Sequence, residues 1–494
     1  MTAILLAIDF PILCGIYLLV RREFSRRGSL LLHAAVFLTG SAFLLVFTLL
    51  QKQNVTYTVF SLTRALKVAF FVDGTSILFA VMATIIFWCT GFFAFEYMKQ
   101  EEHEKRYFGF FFLVLGVLYA LCFAANLFTF YLFFELLTLC SVPLVLHNQS
   151  HEAVMAGCKY LFYSLCGAYM ALFGFYCVYH NAATLDFTPG GVLTGPSTTV
   201  LLTAAFFMIL GFGVKAGMFP MHAWLPTAHP IAPAPASAAL SAMIVKAGVL
   251  ALVRTVYFVF GVDFLKGTWV QTAWLTLTLV TVFMGSLLAY REDLLKKRLA
   301  YSTVSQISYI LFGLAMMNET SVTGGLIQML SHSFVKAALF LCAGAIIYKT
   351  GKTRVSQLRG IGKEMPFVLM MFTVLSLGLI GIPPTGGFVG KWYLAMGALE
   401  SGVQGFAWAG PAVLLVSALL TAGYLLPVTV TGFFPGADYD YSEVKRQETS
   451  LWMLLPIAVL TMLSVVIGVW PVPVMKLIQN AFAMTFGTFA GAGM

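Results

Sequence analysis

The sequence predicts an all-α membrane protein of about fourteen transmembrane helices, on three observations. Hydrophobic types make up 60% of the 494 residues and charged types only 10%, against roughly 45–50% and 25% in soluble domains. The apolar residues gather in long runs, and roughly 20 of them cross a bilayer. Positive charge alternates from one inter-run loop to the next. Together these exclude a soluble globular, disordered or disulfide-stapled chain.

The runs are bounded by charge or by Pro and Gly. The first, 2–20, has no basic leader and no small-residue cleavage site, so it reads as a span. The others are 29–50, 70–95, 107–122, 123–146, 157–180, 198–220, 232–260, 269–290, 301–317, 322–348, 366–398, 409–433 and 450–470. Loops after odd-numbered spans hold eighteen basic residues: Arg21, Arg22, Arg26, Arg27, Lys99, Lys105, Arg106, Arg291, Lys296, Lys297, Arg298, Lys349, Lys352, Arg354, Arg359, Lys363, Lys445 and Arg446. Loops after even-numbered spans hold four: Lys52, Arg64, Lys67 and Lys266. The positive-inside rule then puts the odd loops in the cytoplasm of a cell with this chain in its inner (cytoplasmic) membrane, and both termini on the other side. The net charge of +9 therefore reports topology in a lipid bilayer, not nucleic-acid binding. The eight cysteines form no C-x-x-C pair and read as buried structural thiols, with no metal site.

Lys159, Arg254 and Lys476 lie near span ends, where long side chains reach water. Lys215, Lys246, Lys336 and Lys391 lie well inside apolar stretches, and Glu135 in "FYLFFELLTL" is their acidic counterpart. A charge at the bilayer centre costs roughly 2.5–3.5 kcal/mol on insertion scales, so five cost on the order of 10 kcal/mol. They must face the bundle interior. Structural ion pairs gluing helices are one reading, but four lysines outnumber one glutamate. The other is a relay: burial disfavours an ammonium and a carboxylate restores it, so a lysine whose partner moves away can release a proton. His332 and Lys336 share a helix face at i, i+4. His222 and His229 flank "HAWLPTAHPIAPAP" and are possible members of the same pathway.

Two spans carry helix breakers beside a lysine. Lys215 precedes Pro220, and Lys391 follows Pro383, Pro384, Gly386 and Gly387. Broken helices expose backbone groups to an ion site. The breaks sit at similar places in two blocks of five spans, 107–260 and 269–434, which a three-helix segment (1–106) precedes and a C-terminal helix and tail (450–494) follow. Two odd-numbered repeats in series must be inverted relative to each other, giving two half-channels.

The stretches "FFELLTLCSVPLVL", "GFGVKAGMFPMHAWLPTAHPIAPAPASAALSAMIVKAG", "KRLAYSTVSQISYILFG", "LSHSFVKAALFLCAG" and "GIPPTGGFVGKWY" resemble the antiporter-like subunits shared by respiratory complex I, membrane-bound hydrogenases and multisubunit Na+/H+ antiporters. The resemblance covers most of residues 107–400. It implies that Glu135 and Lys215 form the coupled pair of the first half-channel, that Lys246 is the central relay continued by His332 and Lys336, and that Lys391 is the outlet of the second. It implies no cofactor in this subunit, and partners that comprise other membrane subunits and a peripheral redox arm. Thr227 stands where relatives often carry an acid, and Gln306 where many carry His. Three functions remain open on the sequence: an ion-translocating subunit of a redox-driven complex, a subunit of a Na+/H+ antiporter without redox chemistry, and an inert membrane scaffold.

Overall fold

A computed structural model of the chain describes residues 2–486 except 23, 25, 52–55, 194 and 441–444. Lys52, one of the four basic residues on even-numbered loops, lies outside the described residues, as does the tail beyond 486. Among the described residues, eleven helices are long and apolar enough to cross a membrane, and the chain is a helical, multi-pass membrane protein.

The helices of seven or more residues, in order, are α1 (Thr2–Val20), α2 (Arg27–Leu50), α3 (Gly74–Tyr97), α4 (Glu104–Phe123), α5 (Leu127–Val145), α6 (His151–Asn181), α7 (Thr199–Lys215), α8 (Leu225–Ile231), α9 (Ala234–Phe260), α10 (Trp269–Arg291), α11 (Leu295–Ala315), α12 (Glu319–Thr350), α13 (Pro366–Ile380), α14 (Gly386–Glu400), α15 (Phe406–Phe433), α16 (Leu451–Val469) and α17 (Val472–Phe486). Their starts are written in the sequence. Asp73, Asn126, Ser150, Thr198 and Asn318 each accept a backbone N–H of the first turn through a side-chain oxygen, satisfying donors that the helix leaves free. Gly351 and Gly381 close α12 and α13 at positive φ, a conformation that glycine adopts without a Cβ clash.

Three expected spans are not uninterrupted apolar crossings, for separate reasons. The 198–220 run ends as a helix at Lys215 and continues as turns through Trp224 before α8. The 366–398 run is divided into α13 and α14 by residues 381–385. The 301–317 run begins earlier, at Leu295, so its first turn carries Lys296, Lys297 and Arg298 and lowers its hydropathy.

Four expectations need correction. The fold is mostly but not purely helical: the loop after α2 holds a two-stranded antiparallel hairpin, β1 (Tyr57–Ser61) and β2 (Lys67–Phe70), whose β-branched and aromatic residues favour strands. Arg254 does not reach water; it is buried and bonded to Asp73. Lys296 is a buried cation, not a loop charge. Of the eight free cysteines, Cys158 is exposed, while Cys14, Cys89, Cys122, Cys177 and Cys342 are buried.

The charged loops gather at two ends of the bundle. Arg27 pairs with Glu104 at 2.5 Å, Lys352 pairs with Glu364 at 2.5 Å, and Lys105 donates to the Arg21 carbonyl; Leu294 bridges Arg354. At the opposite end Lys67 pairs with Asp186, and backbone bonds join Ala125 to Ala69 and Val192 to Val259. Between these ends the most enclosed of the eleven long helices are α9 and α12. They carry Lys246, His332 and Lys336.

Candidate functional site

The site is a row of buried and half-buried polar side chains crossing the bundle between the two breaks. It begins where α7 stops. Lys215, the last residue of α7, donates through Nζ to Thr138 Oγ1 at 2.5 Å and to the Phe134 carbonyl at 3.3 Å, and its ammonium lies 4.5 Å from the centroid of the Phe134 ring. Both partners belong to α5, as does Glu135. Glu135 and Lys215 act on each other electrostatically, yet Glu135 Oε1 is buried and unpartnered. An ammonium with a hydroxyl, a carbonyl and an aromatic face is stabilised, and its carboxylate remains available to approach or withdraw.

Lys246 lies on α9, just past a π-helical stretch at Leu240–Ile244. Such a widened turn frees a carbonyl from the regular ladder and recurs at functional sites. Lys246 Nζ donates to the Ser241 carbonyl at 2.7 Å and meets His332 Nδ1 at 2.9 Å. His332 Nε2 is buried and unpartnered. One helical turn on, Lys336 donates to the Leu299 carbonyl at 2.9 Å and to the Ser302 hydroxyl. One turn back, Gln328 Nε2 donates to Gln306 Oε1 at 3.0 Å, and the other amide atoms of both glutamines have no partner.

Lys391 completes the row. Residue Gly390 rests on the α12 backbone, where an added Cβ would lie 2.8 Å from Gln328 N; small residues let membrane helices approach this closely. The Lys391 ammonium donates to the Leu379 and Ile380 carbonyls, at 2.7 and 2.8 Å, and lies 4.9 Å from the Tyr309 ring centroid. Those carbonyls end α13, where the helix leaves its last acceptors unsatisfied and the dipole favours a cation. Pro383 and Pro384 occupy the 381–385 break, and Gly386 and Gly387 open α14. Gly387 is needed there, because a Cβ would collide with the Gly378 carbonyl oxygen.

The remaining candidates lie in or near the first break. Pro220 and His222 occupy the turns between α7 and α8, with His222 Nδ1 unpartnered and its ring over Phe219. His229, on α8, is fully buried; its ring stacks on Phe340, and neither ring nitrogen has a partner.

Sequence reasoning missed Thr138, Ser302, Tyr309, Gln328 and the Asp73–Arg254 pair. A signal for Gln328 was present: Gln328, His332 and Lys336 repeat at intervals of four, one stripe on a helix. No comparable local signal marks Arg254, whose partner is 181 residues away. Among the described residues, no group of three or more His, Cys, Asp or Glu could hold a metal ion.

Residues 124–417 match the family described as NADH:quinone oxidoreductase/Mrp antiporter, TM, and residues 61–108 match that described as NADH-ubiquinone oxidoreductase (complex I), chain 5 N-terminus. The chain is 33% identical over 385 residues to NADH-quinone oxidoreductase subunit N of Desulforudis audaxviator, covering 75% of each. It is 28% identical over 405 residues to a Na(+)/H(+) antiporter subunit of Alkalihalophilus pseudofirmus, covering 81% of this chain and 80% of the relative. Its fold is similar to a chain of the Mrp complex from a Dietzia species, with a TM-score of 0.84 and 23% identity over 99% of this chain and 98% of that one.

Proposed function

Because the chain belongs to the NADH:quinone oxidoreductase/Mrp antiporter transmembrane family, we propose that it is an antiporter-like, proton-translocating subunit of a redox-driven membrane complex. Protons move along Glu135, Lys215, Lys246, His332, Lys336 and Lys391, with His222 and His229 beside the first break. One observation carries this reading above all: Lys215, Lys246 and Lys336, which are buried, and Lys391, which is half-buried, are held by carbonyls, hydroxyls, an imidazole and aromatic faces, not by contact with carboxylates. Ammonium groups placed only to glue helices would be matched by acids. Groups that must gain and lose a proton need partners that tolerate both states.

In this reading the finer architecture is fourteen crossings, with α13 and α14 together making one. Residues 107–260 and 269–434 are inverted half-channels, each opened by its break. The face with the basic loops is cytoplasmic, and both termini lie opposite. The subunit holds no cofactor; electrons pass through a peripheral arm carried by other subunits.

The second reading, a subunit of a Na+/H+ antiporter without redox chemistry, draws on the similarity to the Alkalihalophilus antiporter protein. Genes for an iron–sulfur dehydrogenase or hydrogenase module beside this one would decide for the first. The test of translocation itself is Lys215→Ala in the assembled parent complex. The expected result is normal assembly with translocation abolished. An inert scaffold gives poor assembly, with full translocation in whatever survives.

A further inference from the structure

On the face with the basic loops, a groove of about 450 Å³ runs between α2, α3 and α16. Its polar end holds Arg27, the first residue of α2, with Glu96 and Lys99 at the end of α3. The cations are the more open groups: the Arg27 and Lys99 side chains are 34% and 45% exposed, and Glu96 only 16%. Glu96 is also engaged, by Lys99 at 2.5 Å and by the Tyr348 hydroxyl at 3.4 Å. Arg27 is anchored: Nε donates to Glu104 and Nη2 to the Phe95 carbonyl, both at 2.8 Å. Arg22 and Arg26, both exposed, precede it in the chain and add positive charge at this end. Beyond the charges the walls are apolar, with Leu31, Leu32, Phe92 and Trp452. A second groove, of about 390 Å³, shares Phe92 and Trp452 and is lined further by Trp88 and Leu455, each about one helical turn deeper in the bundle. The Phe92 and Trp452 rings lie within 4° of parallel, their centroids 6.2 Å apart.

We propose that the two joined grooves bind one anionic phospholipid, its headgroup at Arg27 and Lys99 and its acyl chains along the Phe92–Trp452 pair. Basic pockets between membrane helices recognise anionic headgroups, to which each Lys or Arg near the surface adds an attraction. The depth suits a headgroup. Arg27 opens α2, Tyr97 ends α3 and Trp452 is the second residue of α16, so charged and aromatic groups share one rim, the level at which Trp and Tyr sit in a bilayer. Below that rim α2 exposes Leu32, Val36, Phe43, Val46 and Leu50, an apolar face for acyl chains to cover. A packed helix of another subunit suits the groove less. Membrane helices approach each other through small residues, and apart from Gly28 and Ala35 the apolar walls here are bulky side chains. A flexible acyl chain fills the space between such side chains. Seated there, the lipid ties α2, the least enclosed of the eleven long helices, to α3 and α16. Lipid binding at this rim is independent of whether protons move along the lysine row.

The test uses the assembled parent complex, reconstituted into vesicles of equal parts phosphatidylglycerol and phosphatidylcholine and re-extracted in mild detergent. Native mass spectrometry then counts the phospholipids that stay bound. The wild type is expected to keep phosphatidylglycerol in preference to phosphatidylcholine. Lys99→Gln is expected to bind phosphatidylglycerol about fivefold more weakly, with phosphatidylcholine unchanged. Trp452→Ala is expected to weaken both lipids. Trp408→Ala, which removes an exposed tryptophan of α15 outside the grooves, is expected to weaken neither. Photoreactive benzoylphenylalanine in place of Leu32 is expected to cross-link to phospholipid. Equal retention of the two lipids by the wild type overturns the anionic assignment. Wild-type retention of phosphatidylglycerol by both Lys99→Gln and Trp452→Ala overturns the site, and so does an equal loss in Trp408→Ala, which makes the binding non-specific. A cross-link from position 32 to another subunit makes the groove a protein interface and overturns the lipid.

Discussion

Asp73 and Arg254 close a bidentate ion pair at 2.5 and 2.9 Å, whereas Glu135 and Lys215 lie within electrostatic reach of each other with no such contact. The surroundings differ in the same sense. Arg254 also donates to Ser76 at 3.3 Å and is flanked by the Phe187 and Phe258 rings, at 5.0 and 4.9 Å. Asp73 is at once the N-cap of α3 and the partner of Arg254. Guanidinium is charged at every relevant pH and presents a planar fork that a carboxylate matches. Such a pair is locked. Lys215 offers a compact ammonium on a flexible stem, held by one hydroxyl and one carbonyl, and the nearby carboxylate keeps a free oxygen. Under the function proposed above, the contrast separates charges that hold helices in place from charges that change state. The row from Lys215 to Lys391 contains lysine and histidine but no arginine.

This comparison can be broken by mutation, beginning with the largest expected effect. Arg254→Ala leaves Asp73 facing an apolar pocket without its partner, and losing one member of a buried pair costs roughly 3–5 kcal/mol. Because Asp73 keeps some access to water, the lower end is expected, about 3 kcal/mol. Thermal unfolding of the assembled complex should show it, with translocation per surviving complex close to normal. Glu135→Gln should do the reverse. Its unpartnered carboxylate is replaced by a neutral amide of the same shape, so unfolding should hardly change. Translocation should fall about tenfold, the equivalent of about 1.4 kcal/mol of coupling between the two groups. If Glu135→Gln unfolds the complex and spares transport, the two pairs are of one kind.

How much of this was legible in the sequence follows from the range of the interactions. The apolar runs, the basic alternation and the five intramembrane charges depend on local composition, and Lys215, Lys246, His332 and Lys336 are buried inside the bundle while Lys391 is half-buried at the second break. Helix breaks were legible because Pro and Gly act on the nearest turn; where α7 resumes as α8 was not, since turns and helix are equally apolar in "MFPMHAWLP". The 57–70 hairpin was hidden by its position between two spans, though "YTVFS" and "KVAF" carry strand residues. Arg254 read as a span-end charge because its partner belongs to another helix, and only packing turns it inward. Lys296 was counted with a loop for the same reason: α11 starts before its apolar run does. Gln306 finds its role only in the packed bundle, where Gln328 of α12 donates to its side-chain oxygen.

The central claim is that the lysines of this row titrate. Lys391 tests it most directly, because its partners are the backbone carbonyls of Leu379 and Ile380, which no side-chain substitution removes. Lys391→Arg keeps the charge and can donate to both oxygens, but it cannot release a proton. Lys391→Glu supplies a titratable group of opposite charge, whose protonated form can donate to the same carbonyls. Proton translocation by assembled complexes carrying Lys391→Arg, Lys391→Glu or Lys391→Ala should therefore fall strongly with Arg and remain higher with Glu than with Ala. A near-normal Lys391→Arg complex, with Glu the worst of the three, would make Lys391 a fixed cation and contradict the relay.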